Sequence, residues 1–170
     1  METKIKEDKK KIDNLILHFA QKEMLHLGKK KLAKLLYFTD FTSQELLGRP
    51  ITGMRYEKWQ FGPVPATFYK HLDRLEAIKK ISIDKPKTIY IPETITTEAK
   101  PDYSVFSEEE KKIIDSITEQ YKSAPAGRLE KIAKNEPPYK MVVEGEIPYH
   151  LAYYRNTFDE MTLNEDSTTY

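Results

Sequence analysis

Apolar residues near the start of the chain recur every three or four positions, which is the spacing of an amphipathic helix. A first run predicts a helix from residue 9 to about residue 27, with Gly28 as its terminator. A second run predicts a helix over residues 29–47, in which apolar side chains extend most of the way round. Because a helix that is apolar on nearly every side is buried, we expect this second helix at the centre of the fold.

One acidic residue, Asp40, lies within the apolar part of the second predicted helix. A buried carboxylate must be paired, hydrogen-bonded or protonated. We therefore expect a structural partner, namely a tyrosine hydroxyl, a lysine or a backbone group, in preference to a functional role as an acid. Gly48 suits a left-handed cap at the end of this helix, since Pro50 cannot continue it.

The segment that follows has the alternation and the aromatic content of a strand, over residues 51–61. It leads into Gly62-Pro63-Val64-Pro65, where the glycine allows an unusual backbone angle. Pro63 suits the first position of a helix, because the N–H that proline lacks would have no partner there. We therefore predict a helix from residue 63 to about residue 79.

Helix signals dominate the C-terminal half. Ser107 and Glu110 have the spacing of a capping box, which predicts the start of a helix that runs to about Tyr121. Another predicted helix runs through Leu129, and Pro137-Pro138 ends it. Pro148 is a candidate start for a last helix.

Two short alternating runs, at 80–84 and 88–92, predict a β-hairpin that pairs with the strand at 53–61. The predicted fold class is therefore α+β: a single, mainly helical domain with a small antiparallel sheet of about three strands inserted between helices. We expect the domain to span residues 9–155. It would lie between a flexible N-terminus at 1–8 and a flexible acidic tail at 156–170.

The composition excludes several kinds of chemistry. The chain has no cysteine, so thiolate zinc sites, iron–sulfur clusters and cysteine nucleophiles are excluded. It contains no glycine-rich nucleotide-binding loop, no HExxH and no GxSxG motif, and its four histidines show no metal-ligand spacing. We therefore predict no catalytic, cofactor or metal site and no enzymatic activity.

Hydropathy and charge bear on location and partners. No run approaches the roughly 18 consecutive apolar residues of a membrane span. No hydrophobic signal region follows the polar N-terminus, so a cytoplasmic protein with no membrane partner is expected. The net charge of +1 gives no large field toward nucleic acid. Phe158, Met161 and Leu163 lie among the acids of the tail, where a disordered end is favoured over folding onto a partner.

Tyrosine is unusually frequent, with 11 residues in the chain. Its large apolar ring and polar tip suit protein interfaces as well as partly buried positions. We expect six aromatic residues to form an exposed patch of several hundred Å² that contacts a partner. They are Tyr56, Trp59, Tyr69, Tyr139, Tyr149 and Tyr153. The alternative is that these rings fill the core beside the sheet, and for Trp59 this interpretation is at least as good.

Three motifs in the first half of the chain occur in a fixed order: KLAKLLYFTDF at 31–41, Gly48-Arg49-Pro50-Ile51, and YEKWQFGPVP at 56–65. With the helices and the β pair downstream, this order resembles the SocA-like, or Panacea, antitoxin domain, a family first labelled after the phage-associated protein GepA. The resemblance covers about residues 10–155. It departs from the family pattern at 134–139, where tyrosine stands in place of a tryptophan. The fold-defining residues by this resemblance are Leu35, Leu36, Tyr37, Asp40, Gly62 and Pro63.

The resemblance implies an antitoxin of a bacterial or phage-borne toxin–antitoxin system. Such a domain binds its cognate protein toxin directly, and in one characterised branch it delivers the toxin to a cellular protease. The family supplies no catalytic residues. The alternative is a DNA-binding transcriptional regulator with a winged-helix-like unit, which rests on the predicted helix–hairpin arrangement and on lysines at 9–11, 29–31 and 79–80. The near-neutral net charge argues against nucleic acid as a partner.

Overall fold

The second predicted helix, α2 (Lys29–Leu47), is the centre of the fold and has the predicted bounds. A computed structural model describes residues 4–21, 24–86, 88–90 and 93–155 of the chain. Within it, α2 is buried on most of its sides, as its apolar pattern predicted. Gly48 ends the helix with a φ of 73°, which confirms the left-handed cap.

The other helices surround α2. Among the described residues they are α1 (Lys9–Gln21), α3 (Phe68–Ala77), α4 (Glu108–Tyr121), α5 (Ala126–Asn135) and α6 (Pro137–Lys140), together with 3-10 helices at Tyr103–Val105 and Tyr149–Tyr154. Helices α4 and α5 and the last 3-10 helix pack directly on α2. The mainly helical α+β class is confirmed.

The prediction for Gly28 is wrong. This glycine is the N-cap of α2 and not the terminator of α1, whose last described helical residue is Gln21. Residues 24–27 form no helix, and the backbone N–H of Leu25 donates instead to the carbonyl oxygen of Lys122 at the end of α4. That contact, made to a distant part of the chain, holds the segment in a turn.

The main sheet has three antiparallel strands in the order β2–β1–β5, with β1 at Tyr56–Trp59, β2 at Gly62–Pro65 and β5 at Gly145–Ile147. The helix predicted to begin at Pro63 is wrong, since Pro63 lies in β2 and α3 begins only at Phe68. Trp59 pairs with Gly62, so the two strands form a tight hairpin. Proline fits β2 because it is an edge strand, where a ladder hydrogen bond can be absent.

A second, two-stranded sheet pairs β3 (Ser82–Asp84) with β4 (Thr94–Thr96). The prediction placed the second strand of this hairpin at 88–92, of which the structure describes 88–90, and it is wrong. Ile95 accounts for the position of β4, because its side chain is buried and its N–H donates to the carbonyl oxygen of Leu27 at 2.7 Å. The hairpin also does not join β1, so the third strand of the main sheet is β5.

The predictions for the C-terminal half agree more closely with the structure. The capping box is confirmed, because the Ser107 side chain accepts from the N–H of Glu110 and the Glu110 carboxylate accepts from the N–H of Ser107. Helix α5 ends at Asn135, and Pro137 then opens α6. The acidic tail at 156–170 lies outside the described residues.

Near the N-terminus, the N–H of Asp8 donates to a carbonyl oxygen of the segment before β1 at 2.8 Å.

Candidate functional site

Asp40 is fully buried in α2 and accepts four hydrogen bonds, three from the segment that leads into β1 and one from the first residue of β1. Its Oδ1 accepts from the backbone N–H groups of Ile51 at 2.9 Å and Thr52 at 2.7 Å. Its Oδ2 accepts from the hydroxyl of Tyr56 at 2.6 Å and from the hydroxyl of Thr52. The predicted structural partner is confirmed, in the form of a tyrosine hydroxyl and backbone groups.

The carboxyl of Asp40 is harder to ionise in this position than it would be in water. Burial raises its pKa to about 6, although the hydrogen bonds from Thr52, Tyr56 and the backbone act in the opposite direction. Burial also raises the pKa of the Tyr56 hydroxyl well above its usual range. The cluster joins α2 to β1 and thereby fixes where the β1–β2 hairpin lies.

A second buried charge, Lys34, holds the turn of that hairpin against α2. Its side chain is only 1% exposed, and its Nζ donates to the carbonyl oxygen of Pro63 at 3.1 Å. Gly62 has a φ of +111°, and a Cβ at this position would lie 2.5 Å from Cε of Lys34, so the close approach depends on glycine. Burial lowers the pKa of Lys34 to about 8; the charge of Lys30 adds to this shift and that of Glu130 opposes it.

The hairpin turn presents exposed aromatic side chains beside the start of α2. Trp59 and Phe61 on the hairpin are 45% and 57% exposed, and Tyr69 at the start of α3 is 48% exposed. The ring centroids of Trp59 and Tyr69 are 6.4 Å apart. Nζ of Lys29 lies 5.7 Å from the centroid of the Tyr69 ring, and Nζ of Lys30 lies 5.5 Å from that of the Phe61 ring. We call these five residues the aromatic–lysine surface.

Both lysines of this surface are held in place by acids from other elements. Nζ of Lys29 lies 3.6 Å from a carboxylate oxygen of Glu93, and Nζ of Lys30 lies 2.8 Å from one of Glu130 on α5. Half-exposed ion pairs of this kind contribute little to stability. They do keep the lysines beside the rings, where an ammonium group is attracted to an aromatic face.

Three of the six predicted partner-binding residues are used inside the fold. Tyr56 is 1% exposed and Tyr139 is 7% exposed. The hydroxyl of Tyr139 donates to the carbonyl oxygen of Trp59 at 2.6 Å, and the hydroxyl of Tyr149 donates to that of Met54. The expectation that all six form one exposed patch is therefore wrong, because these rings pack in or against the core and their hydroxyls donate to acceptors of the same domain.

Tyr153 is 55% exposed but lies elsewhere. Its hydroxyl accepts a hydrogen bond from Nε2 of Gln44 at 3.0 Å, near the C-terminal end of α2. Gln44 and Lys29 are separated by about 22 Å along the axis of that helix. Of the six candidates, only Trp59 and Tyr69 belong to the aromatic–lysine surface, and their role in binding a partner stays a prediction.

The sequence interpretation missed Phe61, Lys29 and Lys30 as members of this surface. The sequence pattern assigns Phe61 to the end of an alternating strand, and Lys29 and Lys30 enter only among the lysines of the DNA-binding alternative. A local signal was present in Trp59-Gln60-Phe61-Gly62, where two large aromatic residues flank a polar one just before a glycine. Bulky rings at such a turn point to exposure, since a hairpin tip offers little to pack against.

The described residues also bear on metal binding and on membrane-spanning helices. Among the described residues, no group of three or more histidine, aspartate or glutamate side chains could hold a metal ion. No helix in the described ranges has the length and apolar character needed to cross a membrane.

The sequence matches the profile of the family described as antitoxin SocA-like, Panacea domain, over residues 32–140, which is well over half of the chain. The chain belongs to this antitoxin family. The resemblance inferred from the three motifs is thereby confirmed. No curated protein and no solved structure gives a significant match. Membership of the Panacea family implies a toxin as the partner.

The Panacea match contains all six residues that the resemblance identified as fold-defining, and the structure shows what they do. Leu35, Leu36 and Tyr37 are fully buried in α2. Asp40 anchors the segment before β1, and Gly62 with Pro63 forms the contact to Lys34. Trp59, Phe61 and Tyr69 also lie within the matched residues, whereas the two lysines of the surface precede them.

Proposed function

We propose that this domain is the antitoxin of a bacterial or phage-borne toxin–antitoxin system and neutralises a cognate protein toxin by binding it directly at the aromatic–lysine surface. The observation that carries the proposal is the grouping of three exposed aromatic rings beside two lysines. Aromatic residues dominate the binding energy of protein interfaces, because they bury a large area at a small entropic cost.

The interior does not need these three rings. The buried core contains Tyr37, Tyr56 and Tyr139, but none of the aromatic residues of the surface. Their exposure is therefore not a by-product of filling the core, and exposed aromatic rings that are grouped in this way are typical of a binding site.

Two modes of neutralisation use the same contact. In direct inhibition, the bound antitoxin blocks the toxin; in the second mode, it delivers the toxin to a cellular protease. Both modes require a surface that recognises the toxin. Direct binding of the toxin is therefore the part of the proposal that comes first. We further propose that the domain acts in the cytoplasm and without catalysis.

The DNA-binding alternative has weaker support. A helix followed by a hairpin is present, as α3 and the β3–β4 pair. The exposed side of α3 carries Asp73 and Glu76 as well as Lys70, however, and a recognition helix for DNA is expected to be basic.

The test is co-expression with the protein encoded by the neighbouring gene. If that protein is toxic, we expect the wild-type antitoxin to suppress its lethality and the double variant Trp59→Ser/Phe61→Ser to fail. Val143→Ser, a change at a residue that is 92% exposed outside this surface, is the matched control and should still suppress. Failure of the wild-type protein to suppress would refute toxin binding. Equal suppression by all three would place the contact elsewhere.

A further inference from the structure

We propose that Glu7, in a strap formed by residues 4–8, is a positioning residue for the aromatic–lysine surface: it fixes the first turn of α3 and thereby the ring of Tyr69. The inference rests on the proposed function, because it gives Glu7 a part in toxin binding. Three observations support it: the way the strap lies on the fold, the hydrogen bonds of the Glu7 carboxylate, and the place of Tyr69 on α3.

Backbone contacts fix the strap on the segment before β1. The N–H of Asp8 donates to the carbonyl oxygen of Thr52 at 2.8 Å. Gly53 has a φ of +73°, and a Cβ at this position would collide with the carbonyl oxygen of Lys6. Glu7 lies between these two contacts in the chain, so its side chain extends from a piece of backbone that is held in place.

Both carboxylate oxygens of Glu7 bind the start of α3. Oε1 accepts a hydrogen bond from the hydroxyl of Thr67, the N-cap residue of that helix. Oε2 lies 3.1 Å from Nε2 of His71, whose ring is buried. Because Thr67 and His71 are four residues apart, they lie on the same face of α3. One side chain from the strap thus holds the whole first turn of this face.

Arg74 makes a carboxylate necessary at position 7. Its Nη2 lies 2.9 Å from Nδ1 of His71, and a guanidinium only donates, so Nδ1 accepts and the ring carries its proton on Nε2. Arg74 is held in turn by Asp13 on α1, to which its Nη1 donates at 3.0 Å. The hydroxyl of Thr67 and the Nε2–H of His71 therefore both need acceptors. A carboxylate accepts from both, whereas the amide of glutamine has a single acceptor oxygen.

Tyr69 lies on the other side of the same helical turn. It is two residues from both Thr67 and His71, which corresponds to about 200° around the helix axis. Its ring centroid lies 6.4 Å from that of Trp59, and Nζ of Lys29 lies 5.7 Å from it. The first turn of α3 therefore lies between the strap and the β1–β2 hairpin. A ring that is fixed before binding loses less conformational freedom when the partner arrives.

The residues that anchor this turn lie outside the Panacea match. Glu7 and Asp13 precede residues 32–140, whereas Tyr69 lies among them. The toxin affinity of this chain is therefore expected to depend on a segment that the family profile does not include.

The first experiment measures the dissociation constant for the purified product of the neighbouring gene. In Glu7→Gln and in Glu7→Ala we expect it to rise by about fivefold. The melting temperature should change little, because the Glu7 side chain is 31% exposed and lies outside the core. Glu76→Gln, which removes an exposed acid of α3, is the matched control and should leave the dissociation constant unchanged. An equal rise in the control would indicate a general effect of charge and would overturn the proposal.

A double-mutant cycle separates positioning from a general loosening of the fold. If Glu7 acts through Tyr69, then Glu7→Ala should raise the dissociation constant in the wild-type chain and have no further effect in Tyr69→Ser. Independent, additive effects of the two substitutions would contradict a role of Glu7 in positioning that ring.

A third measurement needs no toxin. Trp59 is the single tryptophan of the chain, and its indole faces a surface that Tyr69 helps to cover. We expect stronger acrylamide quenching of its emission in Glu7→Ala than in the wild type. In the Tyr69→Ser background the same substitution should leave the quenching unchanged. Equal quenching in Glu7→Ala and the wild type would overturn the proposal.

The two proposals fail in different ways. If the proposed function is wrong, the wild-type chain does not bind the toxin, but the quenching of Trp59 still responds to Glu7. If the positioning role is wrong, neither quenching nor affinity responds to Glu7, while the wild-type chain still suppresses the toxin.

Discussion

The hydroxyl of Tyr56 in β1 donates a 2.6 Å hydrogen bond to the buried carboxylate of Asp40 in α2. This bond links the central helix to the middle strand of the main sheet. Both partners are fully removed from water, so neither can exchange this contact for one with solvent. Removal of the hydroxyl therefore leaves an acceptor with one donor fewer, which costs more than the loss of an exposed hydrogen bond.

For Tyr56→Phe we expect a loss of about 2 kcal/mol in the free energy of unfolding, because the ring packing is kept and a hydrogen bond to a charged group is lost. Urea denaturation followed by circular dichroism measures it. Tyr154→Phe, at a residue that is 59% exposed, is the matched control and should change stability by less than about 0.5 kcal/mol. Equal effects in the two variants would contradict the role of the buried bond.

The pKa of Asp40, raised from 3.8 to about 6, predicts a specific dependence of stability on pH. A raised pKa means that the folded state binds the proton more tightly than the unfolded chain does. The contribution of Asp40 therefore decreases as pH rises from about 4 to about 6, by about 3 kcal/mol. Asp40→Asn cannot titrate, so the stability difference between wild type and variant should change by this amount across the window. Urea denaturation at a series of pH values measures it, and a constant difference would contradict the assignment.

Two glycine substitutions separate backbone strain and crowding from a general effect of alanine. Gly62→Ala places a Cβ 2.5 Å from Cε of Lys34 at a φ of +111°, so we expect a loss of about 1–3 kcal/mol. Gly127→Ala in α5 meets nothing within 4 Å and should be neutral or stabilising by up to about 1 kcal/mol. Thermal melts of both variants decide the matter. If Gly62→Ala is as stable as the wild type, the Lys34 side chain can move away from the added Cβ, which would contradict its fixed, buried position.

Tyr69→Ser tests the binding surface with an effect on affinity. Tyr69 is 48% exposed, so its loss should leave the melting temperature almost unchanged. If it contacts the toxin as an interface hot spot, the dissociation constant should rise by about 30-fold, which corresponds to about 2 kcal/mol. Isothermal titration with the purified product of the neighbouring gene measures this. Tyr154→Ser serves as control, and an equal rise in both variants would argue against a localised contact.

The sequence predicted α2, the capping box and the fold class because their signals are local. The segment Gly62-Pro63-Val64-Pro65 shows where such signals fail. The φ that proline imposes suits both the first turn of a helix and an edge strand. What selects the strand is pairing with β1 and the contact of Lys34 with Pro63, and both depend on distant parts of the chain.

The strands at Thr94–Thr96 and Gly145–Ile147 illustrate the same limit. The run at 88–92 and the segment chosen for β4 have similar β-branched content, and burial of Ile95 decides between them. Three residues such as those of β5 carry too little periodicity to be typed by pattern. The candidate surface was only partly predictable for a related reason: aromatic content identified Trp59 and Tyr69, whereas the exposure of Phe61 depends on the hairpin turn.

The two prolines of β2 also determine how this protein can associate with copies of itself. All four residues of β2 are buried, and α2 packs on the strand, so an incoming strand finds neither space nor the N–H groups of Pro63 and Pro65. Growth of the main sheet is thereby confined to the opposite edge, at β5, where Glu146 is exposed. A sheet in which one edge strand is buried and the other is short and acidic is a poor template for amyloid-like stacking. We therefore expect this domain to stay free of strand-exchanged fibres even when it is produced in large excess over its partner.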